Sequence, residues 1–187
     1  MKSGQGSHIG APVEGLLQDI VRSTDDKSLY LSSLWGHSIY SLWKANPDGS
    51  NVQKILDGCG SMTDSAPNGK YLLGTKFMGA GVGIYEISLP DNKCTQLLPA
   101  VTTFLPRFAT DGKSFLYALF SSSEVTFYRQ AWSDGKIIGK PQIALRLPFV
   151  FGQYYNGNAY DFSRDLSTVV YARPGGQAEL YLLSQPQ

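Results

Sequence analysis

The chain has 187 residues, 42% of them hydrophobic and 12% aromatic, so it can bury a sizeable core as one domain, and a disordered chain is excluded. Lys+Arg 16 against Asp+Glu 15 leaves a formal net charge of +1, which supplies no attraction for polyanions and excludes a general nucleic-acid binder. No run approaches the roughly 18 consecutive apolar residues of a membrane helix, so direct membrane insertion is not expected.

In chain order, residues 1–14 come first. They are rich in Gly, Ser and Gln, carry His8, and lack the apolar block of a secretory signal, so they read as a flexible leader. The next segments repeat. Thr24-Asp25-Asp26-Lys27 precedes Ser28-Leu29-Tyr30-Leu31, and Pro67-Asn68-Gly69-Lys70 precedes Tyr71-Leu72-Leu73-Gly74. Thr110-Asp111-Gly112-Lys113 then precedes Ser114-Phe115-Leu116-Tyr117, and a degenerate Arg164-Asp165-Leu166-Ser167 precedes Thr168-Val169-Val170-Tyr171. Each is a turn and then a strand: Asp or Asn with Gly supplies the positive φ of a tight turn, and the apolar run suits a strand buried on both faces.

A second marker follows each first one, an apolar residue and then tyrosine, at Ile39-Tyr40, Ile84-Tyr85, Phe127-Tyr128 and Leu180-Tyr181. From the Lys or Ser of the turn to the Tyr is 13, 15, 15 and 14 residues, while the turns themselves are spaced 43, 43 and 54 apart. Further turns at Pro47-Asp48-Gly49, Pro90-Asp91-Asn92 and Ser133-Asp134-Gly135 lead into short strands near 52–56, 94–98 and 141–147. A period of about 43 residues with four short strands per unit predicts an all-β fold, a β-propeller of about four four-stranded antiparallel blades. The blades fall at about 15–56, 60–99, 101–148 and 153–184, with no helix. The last has no outer strand, so either residues 7–13 donate it and close a four-bladed ring or the array is part of a larger propeller; the second is favoured because His8-Ile9-Gly10-Ala11-Pro12 is poor strand sequence. Such unclosed edges expose apolar faces and invite homo-oligomerisation.

The turn segments Pro67-Asn68-Gly69-Lys70 and Thr110-Asp111-Gly112-Lys113, each followed by a strand and later by Ile-Tyr or Phe-Tyr, resemble the repeat of TolB-like, WD-type bacterial propellers over about 165 residues. That repeat is similar in periplasmic TolB, in the propeller of prolyl-oligopeptidase-type enzymes and in sensor regions of bacterial transmembrane serine/threonine kinases. The stretch from Asn158 to Leu183 looks like the C-terminal end of such a kinase sensor region. The resemblance implies a periplasmic or extracytoplasmic location; the residues themselves are equally compatible with the cytoplasm.

No catalytic constellation accompanies the repeats. There is no G-x-S-x-G elbow and no kinase signature, and the two histidines are His8, in the leader, and His37, in a hairpin of blade one. Gly79-Ala80-Gly81-Val82-Gly83 joins two strands with no helix after it, so it is a hairpin loop rather than a phosphate cradle. Asp25, Asp26, Asp64, Asp111, Asp134, Asp161 and Asp165 read as turn caps without calcium-loop spacing. No cofactor or metal is expected. Cys59 and Cys94 are too few for a zinc site and read as two partly buried free thiols, with a single bridge as the alternative.

Tyr40, Tyr85, Tyr128 and Tyr181 recur with the repeat and are expected to pack between blades. Aromatics off that register are the binding candidates: Trp35, Phe77 and Phe120 near the ends of second strands, and Tyr154, Tyr155 and Tyr160 around the irregular loop 149–158. Arg107, Arg129 and Asp161 would add polar contacts. The expected function is a noncatalytic binding or sensor module that takes a protein, peptide or small ligand on one loop face. The alternatives are the gating propeller of a prolyl-oligopeptidase-like hydrolase, with its catalytic domain elsewhere, or a purely structural repeat that self-associates.

Overall fold

The computed structural model describes residues 15–35, 39–77, 80–100, 105–121, 124–148, 160–173 and 179–184, with the backbone alone described at 35, 39, 148, 160, 171–173 and 179–184. These residues form four antiparallel sheets. Sheet 1 holds β1 (Leu16–Arg22), β2 (Leu29–Trp35), β3 (Ile39–Ala45) and β4 (Gln53–Asp57) in that spatial order. Sheet 2 holds β5 (Ser61–Ser65), β6 (Tyr71–Lys76), β7 (Gly83–Ser88) and β8 (Lys93–Pro99). Sheet 3 holds β9 (Arg107–Phe108), β10 (Ser114–Phe120), β11 (Glu124–Ser133) and β12 (Lys136–Pro148), and sheet 4 holds β13 (Tyr160–Phe162), β14 (Thr168–Arg173) and β15 (Glu179–Ser184). The outer strand expected near 141–147 is longer, since the Ser133-Asp134-Gly135 turn lets β12 pair along β11 from Lys136 onward, across two register shifts.

The turn before each second strand closes in one way. A side-chain oxygen of Asp25, Asn68, Asp111 or Asp165 accepts the amide two residues on, from Lys27, Lys70, Lys113 or Ser167. The residue between takes the left-handed backbone: Asp26 at φ 61°, Gly69 at 69°, Gly112 at 62° and Leu166 at 60°. The conformation therefore survives where glycine is lost. At Leu166 the side chain, 4% exposed, is held in the core between sheets 3 and 4, which offsets an unfavourable backbone. The Ser163 hydroxyl and then the Ser167 amide stabilise the Asp165 carboxylate, bringing its pKa down to about 2.

Alternation along the middle strands gives sheets 2 and 3 two buried faces each. On β10, Phe115, Tyr117 and Leu119 face sheet 2, while Leu116, Ala118 and Phe120 face sheet 4. The core is accordingly divided among the seams. Val21, Tyr30, Leu42, Met62 and Leu72 fill the first, Leu73, Ile84, Phe108 and Phe115 the second, and Leu116, Phe127, Phe162 and Val169 the third. The first strands stand nearest one another, with polar links from Ser61 to Asp19 and from Thr63 Oγ1 to the Pro106 carbonyl at 2.9 Å. Gly74 on β6 is crossed so closely by the Ser61 backbone that no side chain fits there.

Of the recurring tyrosines, Tyr40 and Tyr85 are buried, and Tyr128 is half-buried and stacked on Tyr117 with centroids 5.4 Å apart. Tyr181 lies opposite Tyr171 in the strand register. The two cysteines are not the free thiols expected. Cys59, on the link between sheets 1 and 2, and Cys94, on β8, both turn into the first seam, which brings their Cα atoms to 5.8 Å and joins them in a disulfide.

Candidate functional site

One position of the repeat, three residues before Thr24, Pro67, Thr110 and Arg164, is occupied by Val21, Asp64, Arg107 and Asp161. It lies on the first strand of each sheet, where those strands come closest. Sheets 2, 3 and 4 thus set acidic, basic and acidic side chains side by side, and a second arginine, Arg164, joins them from the turn after β13.

The four groups form two ion pairs. Arg107 Nη2 meets Asp161 Oδ1 at 2.6 Å, while Nη1 donates to the Phe162 carbonyl at 2.9 Å and the guanidinium lies 5.4 Å from the centroid of the Phe162 ring. Arg164 Nη2 meets Asp64 Oδ1 at 2.6 Å and donates to the Ser65 carbonyl at 3.0 Å. The remaining Asp64 oxygen accepts the Phe108 amide at 2.8 Å. Burial pushes the Asp64 carboxyl above the usual carboxylate range, and Arg164, the Phe108 and Ser65 amides and Arg107 pull it back. Exposure separates the two acids: the Asp64 side chain is 11% exposed and serves the frame, whereas that of Asp161 is 59% exposed. Asp161 and Arg107 therefore form a fixed polar pair open to solvent, able to hold and orient a polar ligand through charge-assisted hydrogen bonds.

A second concavity lies between sheets 1 and 2. Ser23, Asp25, Tyr30, Lys44, Pro67 and Asn68 are among the residues around a cleft of about 420 Å³. Past Tyr30 and Lys44 a further hollow of about 260 Å³ is walled by Gln53, Ile55, Leu89 and Asn92 among others. The lining is mostly polar, with two exposed lysines, Lys44 and Lys54, and one exposed acid, Asp25.

Among the sequence candidates, the structure brings Arg107 and Asp161 together. It does not bring the aromatics to them. Trp35 ends β2, Phe120 ends β10 and Phe77 follows β6, so all three sit at the opposite end of the sheets. Arg107 is in register with Leu116, and Phe120 lies four residues further along β10, roughly 13 Å at strand rise. Phe77 is half-buried, and Phe120 packs against the core between sheets 3 and 4, which accounts for it as a packing residue. Arg129 pairs with Asp111 at 3.2 Å, beside its own turn. Tyr160 opens β13 opposite Tyr171, whereas His37, Tyr154, Tyr155 and the loop 149–158 lie outside the described residues. Asp64 and Asp161 are not turn caps as expected; both are strand residues whose carboxylates reach neighbouring sheets. Asp64 and Arg164 were the residues missed, and the signal for Asp64 was its repeat position shared with Arg107 and Asp161.

No family model and no curated protein matches the chain. Solved structures do. The chain is similar to TolB from Acinetobacter baumannii, with a TM-score of 0.57 and 15% identity over 91% of this chain and 52% of that one. It is similar to the β-propeller domain of the trilobed protease from Pyrococcus furiosus, described as having an open velcro topology, with a TM-score of 0.55 and 12% identity over 92% of this chain and 55% of that one. It is also similar to Pyrococcus horikoshii acylaminoacyl peptidase, with a TM-score of 0.53 and 12% identity over 92% of this chain and 31% of that one. The four sheets are thus blades of a TolB-like β-propeller fold, and the chain spans about half the length of the TolB it matches.

Proposed function

We propose that this β-propeller is a noncatalytic binding module whose inner-strand face recognises a protein or peptide through the Arg107–Asp161 pair. The observation that carries the reading is that this pair is both oriented, by the Phe162 carbonyl, amide and ring, and open, through the 59% exposure of Asp161. Rigid blades supply a fixed frame for such a contact, and preorganised groups bind without first being ordered. The Cys59–Cys94 disulfide supports an oxidising, extracytoplasmic compartment. In that setting the four blades are read as part of a larger ring, in the context of a bacterial sensor region or periplasmic propeller.

Selection of a displayed random-peptide library on the purified chain tests the reading. Enriched peptides are expected to lose about tenfold or more in affinity with Arg107→Ala and with Asp161→Ala, equivalent to about 1.4 kcal/mol, and to be unaffected by Ile143→Ala on β12. Binders indifferent to both inner-strand variants, or substrate turnover that depends on His37, would overturn it. The gating-propeller reading draws on the likeness to the protease and peptidase propellers. The reading frame beyond Gln187 distinguishes the two, since gating requires an adjoining hydrolase domain.

A further inference from the structure

Glu86 and Asp64 are the two buried acidic side chains among the described residues, and Glu86 is the one that no arginine meets. It lies on β7 between Leu73 of β6 and Thr95 of β8, points toward sheet 3, and is 2% exposed. No ion pair compensates it among the described residues. Its Oε2 has no hydrogen-bond partner among the described residues, and the indole N–H of the buried Trp132 on β11 is the donor that favours its charged form. The Asp134-Gly135 turn between β11 and β12 closes over the carboxyl so tightly that a Cβ on Gly135 would stand 3.0 Å from Glu86 Oε1. Both turn residues hold positive φ, 44° at Asp134 and 80° at Gly135.

Among the described residues, the charged group that acts on it opposes its ionisation. From the turn comes the Asp134 carboxylate. From β6 comes the Tyr71 phenol, which donates to Asp134 Oδ1 at 3.3 Å and meets the Trp132 ring edge-on with centroids 5.1 Å apart. Tyr71 in turn feels Asp91, from the turn before β8. Burial is the main cause that brings the Glu86 carboxyl up to about 7; the Trp132 indole N–H opposes this and the Asp134 charge adds to it. A carboxylate here would be an uncompensated buried charge.

We propose that Glu86 is a proton-operated latch between sheets 2 and 3: the neutral acid lets Trp132 and the 134–135 turn close over it, and release of its proton to solvent opens that seam to water. The seam is one ring away from the inner-strand cluster. Trp132 lies 5.2 Å, centroid to centroid, from Phe108, whose amide holds Asp64.

Hydrogen exchange of the intact chain from pH 5 to 8, corrected for the intrinsic pH dependence of amide exchange, tests the latch. A group with a raised acid pKa in the closed state favours opening as pH climbs from its ordinary value toward the raised one. Opening around 132–137 is therefore expected to increase about tenfold or more between pH 5 and 7 and to level off above. In Glu86→Gln the profile is expected to be flat. A flat wild-type profile, or the same rise in Glu86→Gln, overturns the proposal. If Glu86→Gln does not fold, carbon-13 titration of the wild-type Glu86 carboxyl decides: a midpoint near 7 is expected, and an ordinary glutamate midpoint overturns it.

Discussion

Loss of the Cys59–Cys94 bridge is expected to destabilise the chain by about 3–4 kcal/mol. The bond closes a loop of 35 residues, and the entropy removed from the unfolded chain grows with the logarithm of that length. Its position adds to this. Cys59 is 2% exposed on the link that carries the chain from sheet 1 to sheet 2, and Cys94 lies on the outermost strand of sheet 2. The bridge thus pins the link to the far edge of the sheet it enters, within the seam of Val21, Tyr30, Leu42 and Met62. Urea unfolding of the oxidised chain, of the dithiothreitol-reduced chain and of the Cys59→Ser, Cys94→Ser double variant measures the effect. The last two should share a midpoint well below the first, and dithiothreitol should leave the double variant unchanged. Equal midpoints for all three would show that the thiols do not pair.

Truncating Phe115 should cost as much again. The side chain is fully buried on β10 in the seam with Phe108, Leu73 and Ile84, so Phe115→Ala both loses transfer free energy and leaves a cavity, for about 3–5 kcal/mol. Ile143 on β12 is a control from the same sheet. It is 51% exposed, and Ile143→Ala should change stability by no more than about 0.5 kcal/mol. The contrast follows from the radial arrangement, because a middle strand is covered on both faces and an outer strand is not. Similar losses for the two variants, measured by denaturant midpoints at constant m-value, would contradict that arrangement.

The frame was legible because its turns carry a chemical mark. Asp or Asn whose side-chain oxygen can accept the backbone amide two residues on makes an Asx turn, and a residue able to take positive φ stands between them in three of the four copies. Leu166 breaks the pattern locally; its left-handed backbone is held by burial against residues far away in sequence, which no local reading supplies. The disulfide was illegible for a related reason. Cys59 and Cys94 belong to different parts of the repeat and meet only once the link has turned into the seam.

The site was half legible. Arg107 and Asp161 were candidate polar contacts, but their partnership depends on the placement of two first strands 54 residues apart, at Arg107 and Asp161. The aromatics at the ends of second strands lie at the other end of the sheets from this pair, and Phe120 packs against the core between sheets 3 and 4. Glu86 gave no sign at all. A glutamate between Tyr85 and Ile87 in an otherwise apolar strand reads as solvent-facing by alternation, and only the presence of a neighbouring sheet on both sides makes it buried.

The candidate site depends on the first strands of sheets 2, 3 and 4 converging on one ionic cluster. The Asp64–Arg164 pair joins positions 100 residues apart and spans from sheet 2 to the turn of sheet 4. A double-mutant cycle with Asp64→Ala, Arg164→Ala and both, followed by urea unfolding, reads their contact directly. The convergence predicts a coupling energy of about 1–3 kcal/mol. Additivity of the two substitutions within about 0.3–0.5 kcal/mol would mean that these strands do not meet, and the site with them would be lost.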